Sequence, residues 1–496
     1  MNPANIQQHA LDDLAKYRED INRFSLPEVT SFANHAVTSF FEYHSLTRLP
    51  LRESVELLCE INSHPDANFS KSGLDALFPN LIEKLNDSFD PALCEIYDRV
   101  FAQVISFCRQ LPEMKAFDEA LSSFNLSDEY SLFHRKRNLV KKSHLLSNVL
   151  PLKKILFLSR VTIGADVAIT SVLIAQLKRV FPEAELVFLG STKLRELYGG
   201  DERVRICEIS YGRGATLNSR LLSWLSIIDV VNKELIGLNT DQFCIFDPDS
   251  RLSQLGLLPI CKDDSNYFFF ESRSFQSDGH FSLGQLSSVW VNEICESLPL
   301  SFPFIALPEP TKSIGKVVTS HLNHPIISLS FGVGGNEGKR VNFDFEIELV
   351  RALLKSYTVI LDSGFSPTEL TQSYELESVF SSDGMQVLRL SEDSYRQFPV
   401  KDLPNQQIIF WEGGIGSFAA LISCSDQYIG YDSSGQHLAA ALGVPVFTIF
   451  SDSSTDVFTQ RWQPWGRSKV ISVSVKQSSL QPISEIISSI LSHLLP

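Results

Sequence analysis

The feature that most constrains the fold is a rhythm beginning at Lys153, in which short runs that are apolar throughout alternate with stretches of helical spacing. KKILFLS, ELVFLG, VRICEIS, QFCIFD and YFFFE form a first set, with VAITSVLIAQLKRVF and LNSRLLSWLSIIDVV among the helical stretches between them. A strand that is apolar on both faces must be covered on both faces, which is the situation of a parallel sheet in an α/β fold. The proline-rich segment LSFPFIALPEPTKSIG then reads as a hinge. After it the alternation restarts with HPIISLSFGVGG, YTVILDSG, MQVLRL, QIIFWEGG, DQYIGYD and VPVFTIF, interleaved with helical stretches such as FDFEIELVRALLKS and QHLAAALG. Two such units in tandem place a cleft at the carboxyl ends of two sheets, where open α/β folds bind ligands.

Residues 1–150 carry a different pattern. LDDLAKYREDINRF, LPEVTSFANHAVTSFFEYH, LPLRESVELLCEI, SGLDALFPNLIEKL and PALCEIYDRVFAQVISFCRQL each space apolar residues three or four apart. Three domains are therefore expected: an α-helical one over 1–150, a first Rossmann-like one over 151–310 and a second over 311–496. The C-terminal ISEIISSILSHLLP is an amphipathic helix free to pack on either of the last two.

Composition closes off several function classes. A net charge of -15 argues against broad nucleic-acid binding, which needs clustered Lys and Arg. It leaves room for a small anion held by backbone N–H groups at a helix N-terminus. No apolar run approaches the roughly 20 residues that span a bilayer, and the N-terminus is acidic where a signal peptide is basic, so a cytoplasmic protein is expected. The eight cysteines show no C-x-x-C spacing, which favours reduced thiols over a zinc site.

The candidate chemistry sits at five strand-to-helix corners. RVTIGAD ends the first strand with Asp166, which reads either as an N-cap or as a general base at the mouth of the cleft. SFGVGGNEGKR follows the first strand of the second domain; Gly334 and Gly335 leave amides accessible, and Lys339 and Arg340 add charge suited to a diphosphate, the other reading being a plain surface loop. It is neither a Walker A loop nor G-x-G-x-x-G. In LDSGFSPTELT, Glu369 lies in the first helical turn and is placed either to bond a ribose hydroxyl or simply to favour the helix terminus. WEGGIGS permits close backbone approach. In GYDSSGQH, Asp432, Ser433, Ser434 and Gly435 gather hydroxyls and amides at a helix start, and His437 falls in the first turn, where the dipole favours a neutral ring.

DSSGQHLAAALGVPV at 432–446 resembles the D-[ST]-G-x-x-H-x-A-A-A-L-G-x-P signature of glycosyltransferase family 9, the ADP-heptose:lipopolysaccharide heptosyltransferases and their relatives. The resemblance spans about residues 153–475 and implies a GT-B fold, two Rossmann-like domains with parallel sheets facing a cleft, here preceded by an all-α domain. It implies that Asp166 is the catalytic base, that Lys339 meets donor phosphate, and that Glu369 binds ribose. The chain departs from the pattern in three places: one extra residue in Gly164-Ala165-Asp166, Val341-Asn342 where the family has an aromatic and a proline, and Ser434 where it has glycine, the glycine standing at 435. The implied reaction is inverting transfer of a sugar, heptose by family habit, from a nucleotide diphosphate sugar to an acceptor hydroxyl. It needs no metal or other cofactor, and the implied setting is bacterial lipopolysaccharide biosynthesis. The acceptor is a glycolipid, with peripheral membrane contact, or a protein recruited by the helical domain, and Arg160, Arg213, Arg220 and Arg251 read either as anion contacts for it or as surface charges. Two other readings stand beside it: a 2-epimerase of the same fold and a non-catalytic nucleotide-sugar-binding or scaffolding protein.

Overall fold

A computed structural model describes residues 2–20, 23–141, 146, 152–212, 216–295, 298–397, 407–451, 455–475 and 482–494. By contact the chain divides into two compact units, Met1–His144 with Ile209–Phe275, and Leu145–Glu208 with Gln276–Pro496. Its strands are β1 (Lys154–Leu158), β2 (Glu185–Gly190), β3 (Val204–Glu208), β4 (Phe243–Asp247), β5 (Tyr267–Phe269), β6 (Ile326–Ser330), β7 (Thr358–Asp362), β8 (Val387–Ser391), β9 (Ile408–Glu412), β10 (Gln427–Tyr431), β11 (Val446–Ser451) and β12 (Val470–Val475). The ladders between them are parallel. The architecture is α/β with parallel sheets preceded by a helical segment, as the alternation of apolar runs predicts.

The first unit joins that helical segment to residues 209–275. The helices Pro3–Asp20, Leu26–Thr47, Arg52–Asn62 and Pro91–Cys108 fall on the expected periodic stretches. SGLDALFPNLIEKL is also helical, but Pro79 lies within it and the turn Ala76–Ile82 is π-helical, since proline removes a backbone donor from the ladder. Two further helices, Lys115–Ser123 and Glu129–Lys141, complete the segment. The last carries Arg135, Lys136 and Arg137 onto the β4–β5 region. Lys136 bonds Asp98 and lies 3.5 Å from Glu271, while Arg137 meets both acids. Arg135 donates to the Gly256 carbonyl at 2.9 Å and to Asp264 at 2.6 Å. Asp98 is fully buried, and desolvation pushes its carboxyl up to about 6 despite the two cations beside it.

In the second unit β1 pairs with β2 and β2 with β3, while a seven-stranded sheet runs β12-β11-β10-β6-β7-β9-β8. Ile327, Leu329, Val359, Leu361, Phe410, Ile429 and Phe447 form the middle of its core. The C-terminal helix Ile483–His493 packs onto the same core through Ile487 and Ile490, which decides where that amphipathic face goes. Half of the expected proline-rich hinge is in fact helical: Glu309–Thr319 starts inside it, with Pro310 in the first turn, where a missing N–H costs nothing. All eight cysteines are free thiols. No helix among the described residues is long and apolar enough to cross a membrane.

Candidate active site

In the seven-stranded sheet the chain passes from β6 to β7 on one side, while β10 flanks β6 on the other. The winding reverses at that point, and the crevice beyond the carboxyl ends of β6 and β10 is the natural ligand position of such a sheet. Ser330 ends β6, Asp362 ends β7, and β10 delivers Asp432, after which the signature helix Ser434–Leu442 begins with Ser433 as its N-cap.

The loop after β6 brings Lys339 to this corner. Asn336 caps the single turn Glu337–Lys339 by accepting from the Gly338 amide at 3.1 Å, and Ser451 at the end of β11 donates to the Gly338 carbonyl at 2.6 Å. Thus anchored, Lys339 Nζ reaches Asp432 Oδ2 at 2.6 Å and the Asp432 carbonyl at 3.3 Å. A quarter of the Lys339 side chain remains exposed, at 25% against 6% for Asp432. Asp432 Oδ1 accepts from Gln436 Nε2 at 2.7 Å, and Gln436 Oε1 accepts from Thr448. The same amide nitrogen lies 3.3 Å from His437 Nε2. An amide N–H can only donate, so the ring nitrogen facing it is the acceptor and His437 is neutral with its proton on Nδ1. Burial is the larger cause: at 5% exposure the ring is desolvated and its pKa falls to about 4, with Asp432 opposing and Lys339 assisting. The neutral state expected from the helix dipole is present, for a stronger reason than the dipole.

The neighbouring groups depart from expectation more. Gly334 and Gly335 adopt the left-handed backbone that glycine favours (φ 62° and 85°), and Cβ atoms there would meet nothing within 4 Å, so the loop has open space around it. Glu369 turns back onto it. Its Oε2 accepts from the Phe365 and Ser366 amides at 3.0 Å each, in a capping box with Ser366. Burial works against its charge, but those amides and that of Gly334 hold its pKa below the usual carboxylate value. Asp362, which sequence reasoning passed over, is partly buried beside Ser330, and desolvation raises its pKa to about 6.

Arg340 does not join Lys339. Its guanidinium points inward onto Glu346, with bonds of 3.0 and 2.5 Å, and the Tyr431 hydroxyl donates to the same carboxylate at 3.1 Å. The expectation that Arg340 meets a donor phosphate is corrected accordingly: it neutralises a buried acid. At the corner WEGGIGS, chain carboxylates take the amides that a ligand would use, Glu392 on Gly414 at 2.6 Å and Glu196 on Gly416 at 2.9 Å.

The corner after β1 packs against the signature helix. A Cβ on Gly164 would lie 3.2 Å from Ser434 Cα and 3.3 Å from the His437 ring, so a side chain there would push the two apart by a few tenths of an ångström. Asp166 is therefore near the signature helix, yet it is 1% exposed. Its Oδ1 accepts from the Arg160 amide at 2.7 Å and Thr170 at 2.9 Å, and Oδ2 accepts from Ser159 at 2.5 Å. Desolvation raises its pKa to about 6 against these three bonds. At this exposure the carboxylate is the buried hub tying the strand end to the following π-helical turn Asp166–Thr170, not a group open to solvent. Among the candidate acceptor contacts, Arg160 is buried, Arg220 lies over the Phe78 ring at 4.5 Å, and Arg213 lies outside the described residues.

Asp432, Ser433, Ser434, Gly435 and His437 thus converge with the half-buried Lys339 on one helix N-terminus that offers backbone amides, two hydroxyls and a cation paired with Asp432, an arrangement suited to phosphate oxygens. The same stretch lies inside the part of the chain recognised by comparison. Residues 412–485 match the model of glycosyltransferase family 9 (heptosyltransferase). The match supports glycosyltransferase activity. No curated protein sequence matches the chain at a significant level. Among solved structures, the family 9 glycosyltransferase from Veillonella parvula is similar at 15% identity over 70% of this chain and 91% of that one, with a TM-score of 0.47. ADP-heptose lps heptosyltransferase II from E. coli is similar at 14% identity, covering 68% and 98%, with a TM-score of 0.45. The E. coli heptosyltransferase WaaC with ADP follows at 12% identity, covering 69% and 100%, with a TM-score of 0.44.

Proposed function

We propose that the chain transfers a sugar, heptose first among candidates, from a nucleotide diphosphate sugar to an acceptor hydroxyl with inversion and without a divalent metal. The observation that carries this is the meeting of Lys339 with Asp432 at the N-terminus of the signature helix, inside the family 9 segment. The diphosphate lies over the Ser433 to Gly435 amides with Lys339 beside it, and these groups stabilise the charge that grows as the bond from the anomeric carbon to the diphosphate oxygen breaks. Glu369, in the first turn of the helix Pro367–Ser382 and turned toward the glycine loop, takes a ribose hydroxyl. The acceptor oxygen attacks from the opposite face as its proton passes to Asp166. Oδ2 accepts from Ser159 alone among the described residues and keeps a lone pair for this, and a pKa raised to about 6 suits a base at neutral pH.

The burial of Asp166 favours a second reading, a nucleotide-sugar-binding protein without turnover. Binding and turnover of nucleotide sugars, beginning with ADP-heptose, are measured for the wild type and Asp166→Asn. The transferase reading expects unchanged donor affinity and a loss of turnover of about a hundredfold or more in the variant. Binding with no turnover in either protein supports the second reading, and no binding by the wild type ends both.

A further inference from the structure

Gly435 poses a question that the diphosphate site alone does not answer: why the glycine of this corner stands one place later than in the family signature. The cause lies beneath the helix. Tyr428, on β10, has its side chain wholly buried, and among the described residues no group makes a well-formed hydrogen bond with its hydroxyl, although the Ser330 and Ser433 hydroxyls lie within reach of it. A Cβ on Gly430 would lie 2.3 Å from that hydroxyl, and one on Gly435 would lie 2.0 Å from it. The ring therefore runs along the strand past residue 430, and its oxygen ends directly under the first turn of the nine-residue signature helix. Two positions give up their side chains to make room for it. The hydroxyls of Ser330 and Ser433 flank it, one at the end of β6 and the other at the N-cap.

A buried hydroxyl left without a partner is costly, and a phenylalanine would fill the same space without that cost. A helix N-terminus with amides to spare and an unpaired buried O–H aimed into it is a donor array waiting for an anion. Ser433 is partly exposed, whereas the tyrosine oxygen beneath it is sealed from solvent. Building on the transferase reading, we propose that Tyr428 is a positioning residue for the donor diphosphate: its hydroxyl donates to Ser433 Oγ, which turns its own proton to a phosphate oxygen. Such a chain polarises both bonds and strengthens them together. Gly435 takes the place of the usual glycine because the tyrosine needs that volume.

The test is a double-mutant cycle in the full-length chain, read by calorimetric binding of ADP, UDP and GDP, with adenosine as the uncharged control. Tyr428→Phe and Ser433→Ala each weaken binding of the preferred nucleoside diphosphate by about tenfold, within the range for a hydrogen bond to a charged group. The double variant is no weaker than Ser433→Ala alone, and adenosine binding is unchanged throughout. In turnover the Tyr428→Phe defect falls on donor KM more than on kcat. Tyr428→Phe binding diphosphate as the wild type does, or effects of the two substitutions that add, overturns the proposal while leaving the transferase reading intact. A wild type that binds no nucleoside diphosphate overturns both.

Discussion

His437 stands at the helix start with an amide nitrogen facing its Nε2, and the burial of its ring fixes how the protein responds to acid. Its folded pKa of about 4 lies below the unfolded value of roughly 6.5. As pH falls through 6.5 the unfolded chain takes up the proton and the folded one does not. Stability from this group is therefore full above pH 6.5 and is lost between 6.5 and 4, by about 3 kcal/mol if the whole shift is expressed. His437→Gln should flatten that limb, seen as a smaller difference between denaturant midpoints at pH 7 and pH 4.5 than the wild type shows. Gly435 makes a second prediction at this scale. With the Tyr428 hydroxyl 2.0 Å from where a Cβ would stand, Gly435→Ala should lower the melting temperature by several degrees, by overpacking of roughly 1–3 kcal/mol. Combining it with Tyr428→Val should restore most of that loss. The sequence shows the displaced glycine but not its cause, because residues 428 and 435 become neighbours only when strand and helix are folded together.

At the scale of elements, Arg340 shows how a charge beside a useful lysine can have another purpose. The helix Phe343–Leu353 buries Glu346 completely, and Arg340 with Tyr431 on β10 satisfies it. Arg340→Ala leaves that buried carboxylate without its cation, with only the Tyr431 hydroxyl to meet it, a loss of about 3 kcal/mol in chemical denaturation. Lys339→Ala, at a side chain that keeps a quarter of its surface exposed, should cost less stability than Arg340→Ala and act chiefly on donor binding. The elements themselves were largely legible, since continuous apolar strands and spaced helices signal themselves through local pattern. β12 and the short helix Asp456–Trp462 carry weaker patterns and stood outside the reading. The corners were legible as positions but not as orientations. Asp166, Glu369 and Arg340 all sit where the sequence puts them, and each turns toward backbone amides or a buried partner, because the nearest unsatisfied group captures a side chain. The partners Glu392 and Glu196 lie 22 and 220 residues from the amides they satisfy and give no local signal, and Glu346, six residues from Arg340, gives none either until the helix is folded.

At the scale of the whole molecule, the helical segment is not an appendage to the first unit. Lys136, buried, and Arg137, partly buried, meet Asp98 and Glu271, so two helices of the segment and the turn after β5 share an ionic cluster. A chain beginning at residue 151 would leave Glu271 without its cations and strip the cover from β4 and β5. It should be recovered insoluble, whereas a free module would leave a soluble 151–496 fragment with a cooperative melt. Lys136→Met in the full chain should cost about 3–5 kcal/mol, by leaving two buried acids with Arg137 alone. The central claim, that the signature helix and Lys339 grip a diphosphate, is tested most directly by isothermal titration of nucleoside diphosphates into wild type and Lys339→Ala. The account predicts saturable one-site binding of at least one nucleoside diphosphate, weakened tenfold or more by the substitution and about equally by rising salt. Binding that ignores Lys339→Ala, or no binding of any nucleoside diphosphate by a folded wild type, would contradict it.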